Sequence, residues 1–126
     1  MPLVHHELCF GCGRVNLFGV LLEVEPTGPA SVAGRCFVKQ DHQGPDRGHA
    51  HEGVIAAALG EAMALACGLA ARATSLQIEL HIPVPVGTFL EVSAQARAGE
   101  GPVVEASATA TLEQRMVAHA RGRFRM

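Results

Sequence analysis

The sequence contains no tryptophan and no tyrosine, and only five of its 126 residues are phenylalanine. Binding of single-stranded nucleic acid rests on aromatic faces over which bases stack, and this chain has too few of them. Positive charge is not in excess either: ten Lys and Arg stand against twelve Asp and Glu, giving a formal charge of −2 and a pI near 6.4. A nucleic-acid partner is therefore excluded on two counts. Long apolar runs are also missing. The longest, Val54 to Leu59, falls far short of the roughly 20 residues that span a bilayer, and no basic-then-apolar leader opens the chain. Neither internal repeats nor a composition break marks a second unit. The expectation is one domain over residues 1–126, without a membrane partner and cytoplasmic.

What is present is small and apolar. Hydrophobic residues make up 48% of the chain and mean hydropathy is +0.22, enough for one packed core and incompatible with disorder. The four cysteines, Cys9, Cys12, Cys36 and Cys67, accompany a core large enough to need no disulfide framework, so free thiols are expected.

The richest cluster of Gly, Pro and His, Asp41 to Gly53, has turn chemistry throughout and reads as a loop. It leads into Val54 to Ala71, dominated by Ala, Leu and Met, which predicts a helix ~27 Å long at ~1.5 Å per residue. That helix is apolar on every face, the mark of one enclosed by the rest of the protein. The period then changes to alternation. Leu76, Ile78, Leu80 and Ile82 alternate with polar residues in Ala73 to Pro83, predicting a half-buried strand closed by Pro83 to Gly87. The same pattern predicts strands at Thr88 to Ala98, at Pro102 to Leu112, and at Arg115 to Met126 with Met116, Ala118, Ala120, Gly122 and Phe124 inward. Gly99 to Gly101 makes a hairpin-type link. Fainter strand patterns occupy Leu17 to Glu25 and Ala30 to Val38, joined by Pro26 to Pro29. The predicted architecture is α+β: two strands, one long helix, then four strands in an antiparallel meander, with the sheet wrapped around the helix.

Few residues carry chemistry. Glu61 is the one carboxyl within Val54 to Ala71, and burial there is expected to raise its pKa and make it a general base or nucleophile. The competing reading has it at the solvent boundary or paired with an arginine across a subunit contact. The helix start at His51, Glu52 and Gly53 offers unpaired backbone N–H groups and a positive dipole end to a developing oxyanion, although capping alone also explains those residues. No Gly-x-Ser-x-Gly, Gly-x-Gly-x-x-Gly or phosphate loop occurs. Cys67 reads as a small core residue. Cys9-x-x-Cys12, with His5 and His6 just before it, offers zinc ligands, but one Cys-x-x-Cys without a second pair is a weak metal signal. Neither metal nor cofactor is expected, and His42, His49 and His51 lack a carboxylate pattern that would make them ligands. Arg121, Arg123 and Arg125 share one strand face and read as a solvated surface, with phosphate contact the alternative.

Several motifs fall in a telling order: Cys9-Phe10-Gly11-Cys12-Gly13 with Asn16 and Gly19; His42-Gln43-Gly44; His51-Glu52-Gly53-Val54-Ile55-Ala56; Glu61-Ala62-Met63; Thr74-x-Leu76-x-Ile78; Pro83-Val84-Pro85-x-Gly87; and Ala120-x-Gly122-x-Phe124. Together they resemble the hotdog-fold acyl-CoA thioesterases, the phenylacetate-type group in particular. The resemblance implies a sheet wrapped round one helix, a homodimer or homotetramer, and an acyl-CoA site at the subunit interface. There a helix-start N–H polarises the thioester carbonyl, and an acid nine positions after the motif histidine activates water or attacks directly.

Two positions depart from that pattern. Gly60 stands nine residues after His51, where the acid belongs, and Glu52 replaces the glycine that follows the histidine. The resemblance then leaves Glu61, and after it Glu52, as carboxylate, with the Glu52 and Gly53 amides as oxyanion hole beside His51. Gln43, Gly60 and Thr74 fall near substrate-contacting positions. The activity implied is hydrolysis of an acyl-CoA thioester. The alternative is a hotdog protein that binds acyl-CoA without hydrolysing it, and a third reading is an interaction module centred on the Cys-x-x-Cys segment.

Overall fold

The computed structural model describes residues 1–126. In chain order the elements are β1 (Glu23–Gly28), β2 (Ser31–Phe37), a short helical turn (Gln40–His42), α1 (Glu52–Cys67), β3 (Arg72–Leu80), β4 (Phe89–Ala98), β5 (Val103–Leu112) and β6 (Arg115–Arg125). The strands form one antiparallel sheet in the order β1-β2-β4-β5-β6-β3, and α1 packs on its inner face, chiefly against β4 and β5. The predicted α+β plan, two strands, a helix and four strands in one sheet, is the plan found. No helix is long and apolar enough to cross a membrane.

The helix forms where alanine and leucine dominate, but its ends differ from the sequence expectation. It starts at Glu52 because His51 caps it, the ring Nδ1 accepting the Gly53 N–H at 2.8 Å. It stops at Cys67, four residues before the predicted Ala71. Gly68 adopts φ +134°, a conformation closed to side-chain-bearing residues, and its N–H returns to the Ala64 carbonyl at 3.0 Å. Ile55, Ala58, Leu59, Ala62, Met63, Leu65 and Ala66 are buried, and after Gly53 no residue of α1 is fully exposed.

The sheet meets this helix with small residues. Leu90, Val92 and Ala94 of β4, Ala106, Ala108 and Ala110 of β5, and Ala118, Ala120 and Phe124 of β6 are all buried. Alternation thus places the inner face as predicted, with one exception: Met116 is 46% exposed while Val117 is buried. The pairing steps from Ala110↔Ala118 to Thr111↔Met116, a bulge that inserts Val117 and reverses the facing of the residues before it.

Three further expectations are corrected. The last four strands are not a continuous meander: β4, β5 and β6 are, but β3 lies outside β6 while β4 lies beside β2. The link from His81 to Thr88 holds Pro83 and Pro85, too long and too poor in donors for a hairpin, and it instead docks on the loop before the helix, Ala50 donating to the Val84 carbonyl at 2.8 Å. The first strand begins at Glu23, not Leu17, and runs through Pro26 to Gly28. Before it, Val20 and Leu22 donate to the carbonyls of Phe10 and Gly11, both at 2.8 Å, so that stretch braces the N-terminal segment. Strand β3 also fails to bury a face. Leu76 is 47% and Leu80 48% exposed on this edge strand, which α1 touches less than it does β4 and β5.

Cys36, 2% exposed, has its thiol pushed up to about 12 by burial. Its thiol ionises in the unfolded chain from about pH 9 but not in the folded one, so the stability it lends at neutral pH is lost as pH rises from about 9 toward 12. Urea titrations across that interval are expected to show a steeper fall for wild type than for Cys36→Ala, by up to about 1.4 kcal/mol per pH unit.

Candidate functional site

The helix start is open on one side. Of its first two N–H groups, that of Gly53 is taken by the His51 ring, whereas no side chain meets that of Glu52. The loop leading to it is drawn tight by Gln43, whose side-chain oxygen accepts the Gly48 N–H at 2.6 Å and whose nitrogen donates to the Gln40 carbonyl at 2.9 Å. His51 donates its backbone N–H to the His42 carbonyl at 2.8 Å. The Glu52 carboxylate stays in solvent, its side chain 57% exposed and 3.8 Å from His51 Nδ1. These four residues, His51, Glu52, Gly53 and Gln43, are neighbours as the motifs imply.

Glu61 lies elsewhere. Nine residues at 1.5 Å each put it about 14 Å along the helix from Glu52, so the two cannot act on one carbonyl within one chain. It faces the N-terminal segment, where Oε2 hydrogen-bonds His5 Nδ1 at 2.7 Å and accepts from Cys9 Sγ at 3.3 Å. The side chains of His5 and Glu61 are each 14% exposed. Within the chain its pairing partner is thus a histidine. Cys12 completes the group, its Sγ 3.4 Å from His5 Nδ1 and accepting the His5 backbone N–H at 3.2 Å. Burial, and next the hydrogen bond to Glu61, push the Cys12 thiol far above its ordinary range. All four cysteines are free thiols, as expected.

Sequence spacing had shown Cys9, Cys12 and His5 as a weak signal and Glu61 as an isolated one. Their meeting was not legible because it depends on how residues 1–22 fold back over α1. One signal points to it: Gly11. A Cβ there would collide with the Glu61 carboxyl, 2.6 Å from Oε1, so only glycine lets the carboxylate reach between the cysteines.

The remaining expected residues are dispersed. Gly60 points toward β3, and a Cβ on it would stand 3.5 Å from Leu76 Cδ1, an ordinary contact. Thr74 sits at a bulge in β3 with Oγ1 donating to the Arg123 carbonyl at 3.2 Å. Arg121 and Arg123 are exposed and line a groove of about 820 Å3 on the outer face of the sheet, with Gln77 and Ser107 on either side of Arg121. Cys67 is half-buried, its thiol pushed up to about 11 by burial. His42, His49 and His51 do not converge. His42 is 6% exposed, its Nδ1 accepting from the Lys39 N–H at 3.3 Å and its Nε2 without a partner. The only gathering of three or more His, Cys, Asp or Glu ligand atoms is that of His5, Cys9, Cys12 and Glu61.

The contact between Gly11 and Glu61 gives a direct test. Gly11→Ala is expected to destabilise the fold by about 1–3 kcal/mol through overpacking. Because the collision is with the Glu61 carboxyl, the added cost of Gly11→Ala should shrink by more than about 0.5 kcal/mol in a Glu61→Ala background, read from a double-mutant cycle in urea.

No protein-family model and no curated protein matches the sequence. Solved structures do. A thioesterase superfamily protein superposes with a TM-score of 0.79 at 23% identity over 89% of this chain, which spans 60% of that protein's length. A point mutant of the phenylacetic acid degradation protein PaaI from Thermus thermophilus gives a TM-score of 0.75 at 26% identity, covering 83% of this chain and 93% of its own. The PaaI protein from the phenylacetic acid degradation operon of E. coli gives 0.76 at 20% identity, covering 84% and 79%. With one helix laid on a six-stranded antiparallel sheet in the same arrangement as these proteins, the chain has the hotdog fold that they share.

Proposed function

We propose that the chain is an acyl-CoA thioesterase that hydrolyses a thioester to a free acid and CoA, at a site completed by a second copy of itself. The observation that carries the reading is the open start of α1, with its unclaimed Glu52 N–H, in a fold shared with thioesterase superfamily structures. The unpaired edge strand β3, whose Leu76 and Leu80 are half-exposed, supports assembly into a homodimer or homotetramer.

A thioester carbonyl approaching the helix start accepts the Glu52 N–H and, once the His51 ring swings away, that of Gly53. Both donors and the positive helix end stabilise the oxygen as it becomes an oxyanion. A carboxylate takes a proton from water as the hydroxyl attacks the carbonyl carbon, and it returns that proton to the departing CoA sulfur. Of the two carboxylates expected for this role, Glu52 is free in solvent at the helix start, while Glu61 is held by His5 and Cys9. That favours Glu52. A base at Glu61 would have to act on the helix start of the partner copy. In this reading Gln43 shapes the loop beside the carbonyl, the acyl chain lies along β3 past Gly60 and Thr74, and Arg121 and Arg123 meet the CoA phosphates.

The second reading, acyl-CoA binding without turnover, is favoured by Gly60, which leaves no carboxylate nine residues after His51. One assay separates the readings: thiol release from short, long and aryl acyl-CoAs by wild type, Glu52→Gln, Glu61→Gln and Gly60→Asp. Glu52→Gln is expected to lower kcat by about 10²-fold or more. A larger loss in Glu61→Gln would return the role to Glu61. Gly60→Asp, which has room for its Cβ, is expected to raise turnover at least about tenfold. Saturable binding without turnover by wild type would establish the second reading, and neither binding nor turnover would overturn both.

A further inference from the structure

Four ligand atoms of different chemistry meet where the N-terminal segment crosses the middle of α1. His5 Nδ1, Cys9 Sγ, Cys12 Sγ and a Glu61 carboxylate oxygen all lie within 4.8 Å of one another. Two explanations other than a metal make specific demands. A nucleophile relay would use both nitrogens of the histidine, one toward the thiol and the other toward the carboxylate. Here Cys9, Cys12 and Glu61 all address the same nitrogen, Nδ1, at 3.7, 3.4 and 2.7 Å. A redox pair would need Cys9 and Cys12 alone, and would give no reason for a carboxylate and an imidazole to be brought to the same point. Convergence on a point is what a coordinated cation requires.

The spacing fits one cation class. Bonds of about 2.0–2.3 Å in a tetrahedron give ligand–ligand edges of about 3.4–3.8 Å. Of the five edges that include sulfur, three are 3.3 Å (Cys9–Glu61), 3.4 Å (Cys12–His5) and 3.7 Å (Cys9–His5), close to that spacing, and the other two, Cys9–Cys12 and Cys12–Glu61, are no longer than 4.8 Å. Only the His5–Glu61 edge, 2.7 Å, is shorter and must open by somewhat less than about 1 Å. The surroundings are arranged for thiolates: the His5 backbone N–H points at Cys12 Sγ at 3.2 Å, and the Gly13 N–H closes the turn on the Cys9 carbonyl at 2.8 Å. Gly11 leaves the gap through which Glu61 enters. Two sulfurs, one imidazole and one carboxylate suit zinc and disfavour magnesium or calcium, which take oxygen.

We propose that His5, Cys9, Cys12 and Glu61 form a zinc site that fastens the N-terminal segment to the middle of α1. Binding converts both thiols to thiolates and releases two protons, leaving the complex with a net charge of −1. Four protein ligands close the coordination sphere, so the site is structural and holds no water for chemistry. Its existence does not depend on whether the chain hydrolyses a thioester.

The test uses the full chain, reduced and stripped of metal, then titrated with Co2+ as a spectroscopic probe and with Zn2+ against a chromophoric chelator. Wild type is expected to bind one ion per chain, with thiolate-to-cobalt charge-transfer bands and tetrahedral ligand-field bands. Cys9→Ser and Glu61→Gln, both at partly exposed positions, are expected to weaken binding at least about tenfold and to change the cobalt spectrum. Cys67→Ser should leave both unchanged. Stripping zinc should lower Tm of wild type by several degrees and that of Cys9→Ser by less. Absence of stoichiometric binding by reduced wild type, or a cobalt spectrum unaltered in Cys9→Ser and Glu61→Gln, would overturn the proposal.

Discussion

The structure depends on the enclosure of one alanine-rich helix by one sheet. Ala58, Ala62 and Ala66 present almost no side chain, and the strands answer with Ala94, Ala106, Ala108, Ala110, Ala118 and Ala120. Small residues on both surfaces let helix and sheet come close, and leave little slack for anything larger. Phe124, Met63, Leu59 and Leu90, all essentially inaccessible, fill the space at the margins. A helix so enclosed can present polar groups to the outside only at its ends and along one narrow line. The first end is His51–Gly53. The line is where Gly60 and Glu61 emerge, half-buried, from under the sheet.

That geometry explains why the molecule carries two separate polar centres. Helical rise keeps Glu61 about 14 Å from the helix start, so no single-chain site can join them. One centre is the helix N-terminus, with the unclaimed Glu52 N–H and an exposed carboxylate. The other is the carboxylate of Glu61, seated over Gly11 and tied to His5 and Cys9. A buried carboxylate without partners costs several kcal/mol, and the N-terminal segment supplies the partners. Residues 1–22 have little regular structure of their own, yet Leu3 donates to the Val24 carbonyl at 2.9 Å, and Phe10 and Gly11 accept from Val20 and Leu22. Hydrogen bonds to β1 hold one side of that segment, and Glu61 holds the other.

Most of the fold was legible in the sequence because its signals are local. Period-two alternation located β4, β5 and β6 to within a residue or so, and the Ala-rich run located α1. The misreadings come from places where local pattern and tertiary placement part. Alternation in β3 promised a buried face that only an interior strand would have, and the strand lies at an edge. Gly68, not the end of the apolar run, stops the helix, since Leu69 and Ala70 would suit a helix as well as their predecessors do. The bulge at Val117 shifts Met116 outward with no sequence mark. The candidate site was legible in parts: His51, Glu52, Gly53 and Gln43 are adjacent in sequence and remain neighbours in space. The cluster at Glu61 joins residues more than 50 positions apart, and no spacing rule reaches that far.

The two centres also constrain each other. Gly60 and Glu61 are consecutive on α1, so their side-chain directions differ by about 100°. Gly60 faces Leu76 of β3, the unpaired edge, while Glu61 faces the cysteines. A carboxylate at position 60 would stand toward whatever covers β3; the one at position 61 cannot, because turning it there would abandon His5 and leave both thiols facing a gap. Within one chain, then, Glu61 does not stand where a carboxylate at position 60 would. At the helix start, by contrast, Glu52 brings a carboxylate and a backbone donor to the same place. The helix start and the Glu61 cluster thus stand as separate centres, and within one chain the Glu61 carboxylate is engaged with His5 and Cys9 of the segment that covers it.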